Sequence, residues 1–324
     1  MSFKDYILPS SEVTPENVFH TRRTFLKALG FFGLNAWPLL NACTNYAVES
    51  RDIKGTLVNL KRLPATRNHA YTLDRPLTDQ LEAASFTNFY EFTHSKEVWR
   101  SVESFLTRPW EIRITGLVKK PLTLSMDELL KTIPQEERHY RFRCVETWAM
   151  AVPWTGFPLA ALVKKAEPLS SATHLAFISF LKRDQAPEQK RGNLEIWPYH
   201  EGLTMQEAMN DLAFMATGLY GKELPKQHGS PIRLVTPWKY GFKSIKSVVE
   251  IRFTNRQPAT FWNSMAPQEY GFWANINPSF HHPRWSQSEE NMLGSNERRP
   301  TLLYNGYAAQ VAQMYNIAEK RYFY

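Results

Sequence analysis

An α+β fold is predicted by three observations. Short strand-like alternations and short helix-like stretches are interspersed along the chain with no regular βαβ period. No internal repeat or low-complexity linker divides the 324 residues. Hydrophobic residues at 43% and aromatics at 14% suffice to bury one sizeable core, and they exclude a disordered chain. The expected organisation is a targeting segment over residues 1–47 and a single domain over 48–324, with the stretch 261–324 wrapping over the rest.

The elements follow from local pattern. Residues 48–78 are polar and rich in turn formers and read as an extended lead-in, whereas 77–86 read as weakly helical. Asn88-Phe89-Tyr90-Glu91-Phe92 follows as an aromatic loop. Residues 111–116 alternate Ile and Arg before a glycine, the pattern of an exposed strand ending in a turn. Ser125-Met126-Asp127-Glu128 is a capping box opening a short helix through Leu129 and Leu130. Residues 141–145 read as a strand, and 157–166 as an amphipathic helix introduced by Thr155-Gly156 and Pro158. Residues 174–181 and 232–235 read as buried strands, 247–253 as an alternating strand, and 207–214 as a helix by apolar spacing. The tail from 261 is rich in Trp, Tyr, Asn and Pro, which suits irregular packed structure.

The N-terminus reads as an address. Thr21-Arg22-Arg23-Thr24-Phe25-Leu26-Lys27 matches the twin-arginine export signal, and the apolar run 28–40 is too short and glycine-rich for a good membrane span. Cleavage is expected between Ala42 and Val48. Leu40-Asn41-Ala42-Cys43 is similar to a lipoprotein cleavage box, with Asn41 a departure from it. This route moves folded proteins, commonly loaded with a complex cofactor, so it raises the expectation of a redox group without saying which. The predicted location is the periplasm. The formal charge of +8 is a mild bias toward anionic partners. Nucleic acid is not expected, because no zinc-finger spacing, basic heptad helix or aromatic RNA-binding signature occurs.

Of two cysteines, Cys43 lies in the targeting segment, so the folded part holds the single thiol of Cys144. Its setting is Arg141-Phe142-Arg143-Cys144-Val145-Glu146-Thr147-Trp148. In an oxidising compartment a lone thiol is open to oxidation. On a strand, Arg141 and Arg143 share one face and Cys144 and Glu146 the other. Nearby positive charge lowers a thiol pKa, and a thiolate is a soft metal ligand. Glu146 would offer a carboxylate or a proton beside such a metal. The segment alone reads equally as a buried structural cysteine, and a nucleophile is a third reading that no histidine placement favours.

A second segment runs Gln227-His228-Gly229-Ser230-Pro231-Ile232-Arg233-Leu234-Val235-Thr236-Pro237 into Tyr240-Gly241-Phe242-Lys243-Ser244-Ile245-Lys246. Arg233, Lys243 and Lys246 are cationic, Gly241 lets backbone approach closely, and Ser244 offers a hydroxyl. Together they suit a phosphate-bearing cofactor; alone, such a run is more often a solvated loop. His281-His282 is read as a loop pair, since adjacent side chains project apart.

Both segments resemble the sulfite-oxidase family of molybdopterin proteins, and within it the molybdenum subunits of bacterial periplasmic protein-methionine-sulfoxide reductases. The motifs N-F-Y-E-F, R-C-V-E-x-W, W-x-G-x-P-L and P-W-K-Y-G-F-K-x-I-K-S all occur in the same order, as do H-P-R-W-S-Q from His282 to Gln287 and Pro300-Thr301-Leu302-Leu303-Tyr304-Asn305-Gly306-Tyr307. The resemblance implies a sulfite-oxidase-like fold without the extra dimerisation domain, and one molybdenum-molybdopterin per chain. It implies that Cys144 ligates molybdenum with Asn88 and Glu146 close by. Asn88, Tyr90, Glu91, Ser179, His228, Arg233, Ser244, Ile245 and Lys246 would hold the pterin. Two positions depart from the pattern, Ser179 for threonine and His228 for asparagine, and both side chains still hydrogen-bond.

The implied activity is reduction of methionine sulfoxide in oxidised periplasmic proteins. No Cys-x-x-Cys-His occurs, so electrons are expected from a haem-bearing, quinol-linked membrane subunit. Rival readings are a small-molecule sulfoxide or N-oxide reductase, a sulfite-type oxidoreductase on the same fold, and a non-catalytic binding protein with an inert Cys144.

Overall fold

The computed structural model describes residues 50–191, 194–295, 297–316 and 319. The twin-arginine motif, the apolar run after it and Cys43 lie outside the described residues. In chain order the elements are α1 (Ser50–Val58), β1 (Thr66–Arg67), α2 (Gln80–Ser85), β2 (Glu111–Gly116), β3 (Leu122–Ser125), α3 (Met126–Thr132), β4 (Glu136–Arg143), β5 (Trp148–Pro158) and α4 (Leu159–Ala166). They continue with β6 (His174–Ser179), β7 (His200–Thr204), α5 (Met205–Met209), β8 (Phe214–Leu219), β9 (Lys222–Glu223) and β10 (Arg233–Val235). Last come β11 (Val248–Thr254), α6 (Phe261–Met265), β12 (Glu289–Met292), β13 (Arg298–Pro300) and α7 (Ala308–Val311). No described helix is long and apolar enough to cross a membrane.

Two mixed sheets carry the fold, as an α+β architecture requires. The smaller runs β3-β2-β11-β6-β7, with β2 and β11 parallel and the other pairs antiparallel. The larger is built around the β4–β5 hairpin, registered from Glu136 opposite Gly156 to Arg143 opposite Ala149. Beyond β5 the sheet splits: β8 pairs with its far end, and β12 runs parallel to its first two residues. One hydrophobic core joins Ile112, Ile114 and Phe177 of the smaller sheet to Val152, Trp154 and Phe214 of the larger.

Several elements differ from expectation. The lead-in is not wholly extended: α1 forms because Ile53 and Leu57, one turn apart, are buried against Ala84 and Trp99. The strand expected over 141–145 starts at Glu136 and stops at Arg143, leaving Cys144 at the head of a turn. Phe157 and Pro158 finish β5, so α4 starts only at Leu159. The helix expected over 207–214 is α5, capped by a reciprocal Thr204–Glu207 box and stopped where Asn210 Oδ1 accepts from Leu212 N–H at 3.0 Å. Phe214 instead opens β8, every residue of which is buried. At α3 the Ser125 hydroxyl accepts from Glu128 N–H at 3.2 Å, which is one half of the capping box the sequence predicts. The tail is mostly irregular but contributes β12 and β13 to the larger sheet.

Candidate active site

The turn joining β4 to β5 creates the centre of the site. Cys144 N–H donates to Trp148 O at 2.9 Å, and Thr147 N–H to Cys144 O at 3.0 Å, closing a three-residue hairpin loop. Thr147 takes φ +76°, left-handed backbone that a β-branched residue adopts at a cost of about 1–2 kcal/mol. The tail holds this turn. Asn291 donates to Thr147 through its backbone N–H and its side-chain Nδ2, both at 2.9 Å, and Gln287 Nε2 donates to Val145 O at 2.8 Å.

The turn aims Cys144 and Glu146 into a cavity of about 630 Å³, counting the solvent at its mouth. Asn88, Tyr90 and Glu91 line it from the aromatic loop, and Ser244, Ile245 and Lys246 from the segment before β11. Eight sequence-predicted residues thus meet around one space. Three do not line it. Ser179 Oγ donates to Lys246 O at 2.8 Å, Arg233 Nη2 donates to Ser244 O at 2.8 Å, and Arg233 Nη1 donates to His228 O at 3.2 Å. They form the layer behind the wall, and all three are buried.

Beside the thiol, Glu146 is tied into a closed ring of polar groups. Lys96 ion-pairs with its Oε2 and donates to Asn88 Oδ1 at 2.7 Å. Tyr90 OH donates to Glu146 Oε1 at 3.1 Å, and Asn88 Nδ2 donates to Tyr90 OH at 3.1 Å. Burial opposes the charge on Glu146, but Lys96 and these hydrogen bonds outweigh it and hold the carboxyl below its usual range. Glu146 is therefore a carboxylate at neutral pH. Sequence reasoning missed Lys96, which no motif marks, and the cavity walls Tyr199, Trp262 and Tyr270.

The arginines do not activate the thiol as expected. Burial, then the Glu146 charge, push Cys144 up to about 12, and the opposing pull of Lys96 exceeds that of Arg143. The reason is where the long side chains go. Arg143 Nη1 donates to Cys144 O and Nη2 to Glu289 O at 3.0 Å, while Arg141 Nε reaches Asp74 Oδ1 at 3.1 Å and its Nη1 reaches Asn305 O at 2.9 Å.

The deep wall fits an anionic, phosphate-bearing cofactor. Burial pushes Arg233 down to about 9, and its guanidinium is held by carbonyls and by the faces of Phe142 and Trp154. Burial and the neighbouring Arg233 charge also depress Lys246, while burial raises Glu91 opposite it. Among the described residues Lys246 Nζ makes no hydrogen bond or ion pair; it lies 5.4 Å from the Phe89 ring centroid. His228 Nε2 donates to Ala83 O at 2.9 Å, leaving buried Nδ1 as an acceptor without a partner. Gly229, at φ +92°, lets the wall close, since a Cβ there would lie 2.6 Å from Lys246 Cβ. Among the described residues no three His, Cys, Asp or Glu side chains cluster to hold a metal ion.

Residues 100–262 match the oxidoreductase molybdopterin binding domain. The class that fold and site define is accordingly that of molybdopterin-binding oxidoreductases, and the cofactor is molybdenum-molybdopterin. Among curated proteins, the protein-methionine-sulfoxide reductase catalytic subunit MsrP of Burkholderia mallei is 42% identical over 322 residues, covering 98% of this chain and 96% of its own. Its counterpart from Ralstonia nicotianae is 43% identical over 332 residues with the same coverage. The chain belongs to this family of catalytic subunits. Among solved structures, the sulfane dehydrogenase SoxCD from Paracoccus pantotrophus is 18% identical with a TM-score of 0.44; the match covers 63% of this chain and 53% of that one.

Proposed function

We propose that the chain reduces methionine sulfoxide in oxidised proteins to methionine, using a molybdenum-molybdopterin bound through the thiolate of Cys144. One observation supports the reading above the others: the single thiol of the described residues opens into a cavity walled by Lys246, with the buried Arg233 guanidinium in the layer behind it. The names of its relatives supply the substrate. When bound, the cofactor supplies two-electron oxygen-atom transfer.

The chain's own residues do the rest. Arg233 and Lys246, desolvated and mutually repelling, attract the anionic groups of the pterin. Cys144, whose thiol burial pushes up to about 12, must release its proton to ligate a metal, so loading is coupled to proton release. Glu146 is the carboxylate that accepts or returns a proton beside the metal, and Lys96 Nζ and Tyr90 OH hold the nearest hydrogens. The reading includes twin-arginine export to the periplasm, oxidised periplasmic proteins as substrates, and a haem-bearing, quinol-linked membrane subunit as electron donor.

Metal analysis of the purified protein beside Cys144→Ser tests it, together with viologen-driven reduction of an oxidised protein. We expect about one molybdenum per chain and a loss of activity by roughly a hundredfold or more in the variant. No molybdenum in a host that makes the cofactor would sink the reading. Turnover of sulfite in place of sulfoxide would move it to the sulfite-type rival.

A further inference from the structure

A second cavity of about 340 Å³, counting the solvent at its mouth, adjoins the first and shares Val145, Phe242 and Tyr270 with it. Its chemistry differs. Among the described residues no lysine or arginine lines it, and Glu269 does, so it does not suit the anionic pterin. Its other walls are mainly apolar, and the imidazole of His282 is set among them with its side chain 6% exposed.

The ring's hydrogen can be placed. Arg284 N–H donates to His282 Nδ1 at 3.1 Å, so in the neutral ring the hydrogen sits on Nε2. Burial and the Arg284 charge push this histidine down to about 4, which keeps it neutral at pH 7. Among the described residues buried Nε2 has no hydrogen-bond partner, and a Glu269 carboxylate oxygen lies 3.7 Å away. A buried donor left without an acceptor is costly unless a ligand supplies one. Arg284 meanwhile fixes the shared wall: its Nη2 donates to Tyr270 OH at 2.7 Å and its Nε lies 2.7 Å from Glu269 Oε2.

We propose that this second cavity receives the polypeptide flanking the methionine sulfoxide of an oxidised protein, with His282 Nε2 donating to a main-chain carbonyl of that substrate. The inference rests on the proposed reduction of protein-bound sulfoxide, which requires room for a neutral, acceptor-rich chain beside the reacting side chain. The wall common to both cavities provides that adjacency.

The test compares an oxidised methionine-containing peptide with dimethyl sulfoxide, which has no flanking chain, in wild type, His282→Leu and His282→Gln. The Leu variant should raise KM for the peptide at least tenfold more than KM for dimethyl sulfoxide, at unchanged molybdenum content. The Gln variant, which keeps an N–H donor, should recover most of that difference. Equal factors on both substrates, or a Gln variant indistinguishable from Leu, would overturn the subsite. Were the wild type to reduce neither sulfoxide, the proposed activity would fail. Peptide titration of the metal-loaded proteins would then decide the subsite alone: binding weakened tenfold by His282→Leu supports it, and equal binding overturns it.

Discussion

At the scale of single residues the site is governed by what burial does to charge. His228 is buried with a neutral ring, its pKa lowered to about 3 first by desolvation and then by Arg233 and Lys246. In the unfolded chain it returns to its ordinary value near 6.5. Between those values the unfolded state binds one proton more than the native state. Stability from this residue is complete above about pH 6.5 and falls as pH drops toward 3, by up to about 1.4 kcal/mol per pH unit. Urea unfolding of metal-free protein from pH 7 to pH 4 should therefore show a slope about one proton shallower in His228→Gln than in wild type. Equal slopes would remove His228 as the source.

At the scale of elements, the β4–β5 hairpin positions the chemistry and the tail positions the hairpin. Gln287 is fully buried, and its amide is the donor that reaches the Val145 carbonyl from the far end of the chain. Gln287→Ala should cost about 1–3 kcal/mol in urea unfolding of the metal-free protein by stranding that carbonyl. It should also lower molybdenum content when cofactor is limiting, because the Cys144 turn loosens. A variant that unfolds and loads like wild type would show that the tail merely covers the hairpin. Legibility in the sequence divides along the same line. β2 was readable because its outer face is wet, so Ile and Arg alternate. β5 was not, because its first ten residues are all buried and its Pro153, Gly156 and Pro158 imitate loop. β8, buried throughout, offered apolar spacing that a helix also offers. The cavity-lining residues that sit on local motifs were readable as neighbours of one space, namely Asn88, Tyr90, Glu91, Cys144, Glu146 and Ser244 to Lys246. Lys96 was not, because its role arises from a loop folding back onto Glu146.

At the scale of the whole molecule, the fold buries several cations: Arg233, Lys239, Lys243 and Lys246. Lys239 and Lys243 are compensated, each 2.5 Å from a buried glutamate, Glu207 and Glu201. Among the described residues Arg233 has only carbonyls and ring faces, and Lys246 has Glu91 near it but no ion pair. A protein that strands desolvated cations around a cavity is less stable empty than filled by an anion. Binding confined to the native state adds about 3–4 kcal/mol once ligand is some hundreds of times its Kd, roughly 5–7 °C in melting for a chain of this size. Calorimetry should accordingly find the molybdenum-loaded protein melting about that far above the metal-free form. Lys246→Met should narrow the gap from both ends. It raises the empty protein's melting point, because a desolvated ammonium is replaced by an apolar chain of similar length, and it lowers the loaded one's by removing an anion contact. If the variant instead destabilised both forms equally, Lys246 would be a structural lysine, and the anion would have to be held by the backbone of 244–246, with Arg233 acting only from the layer behind it.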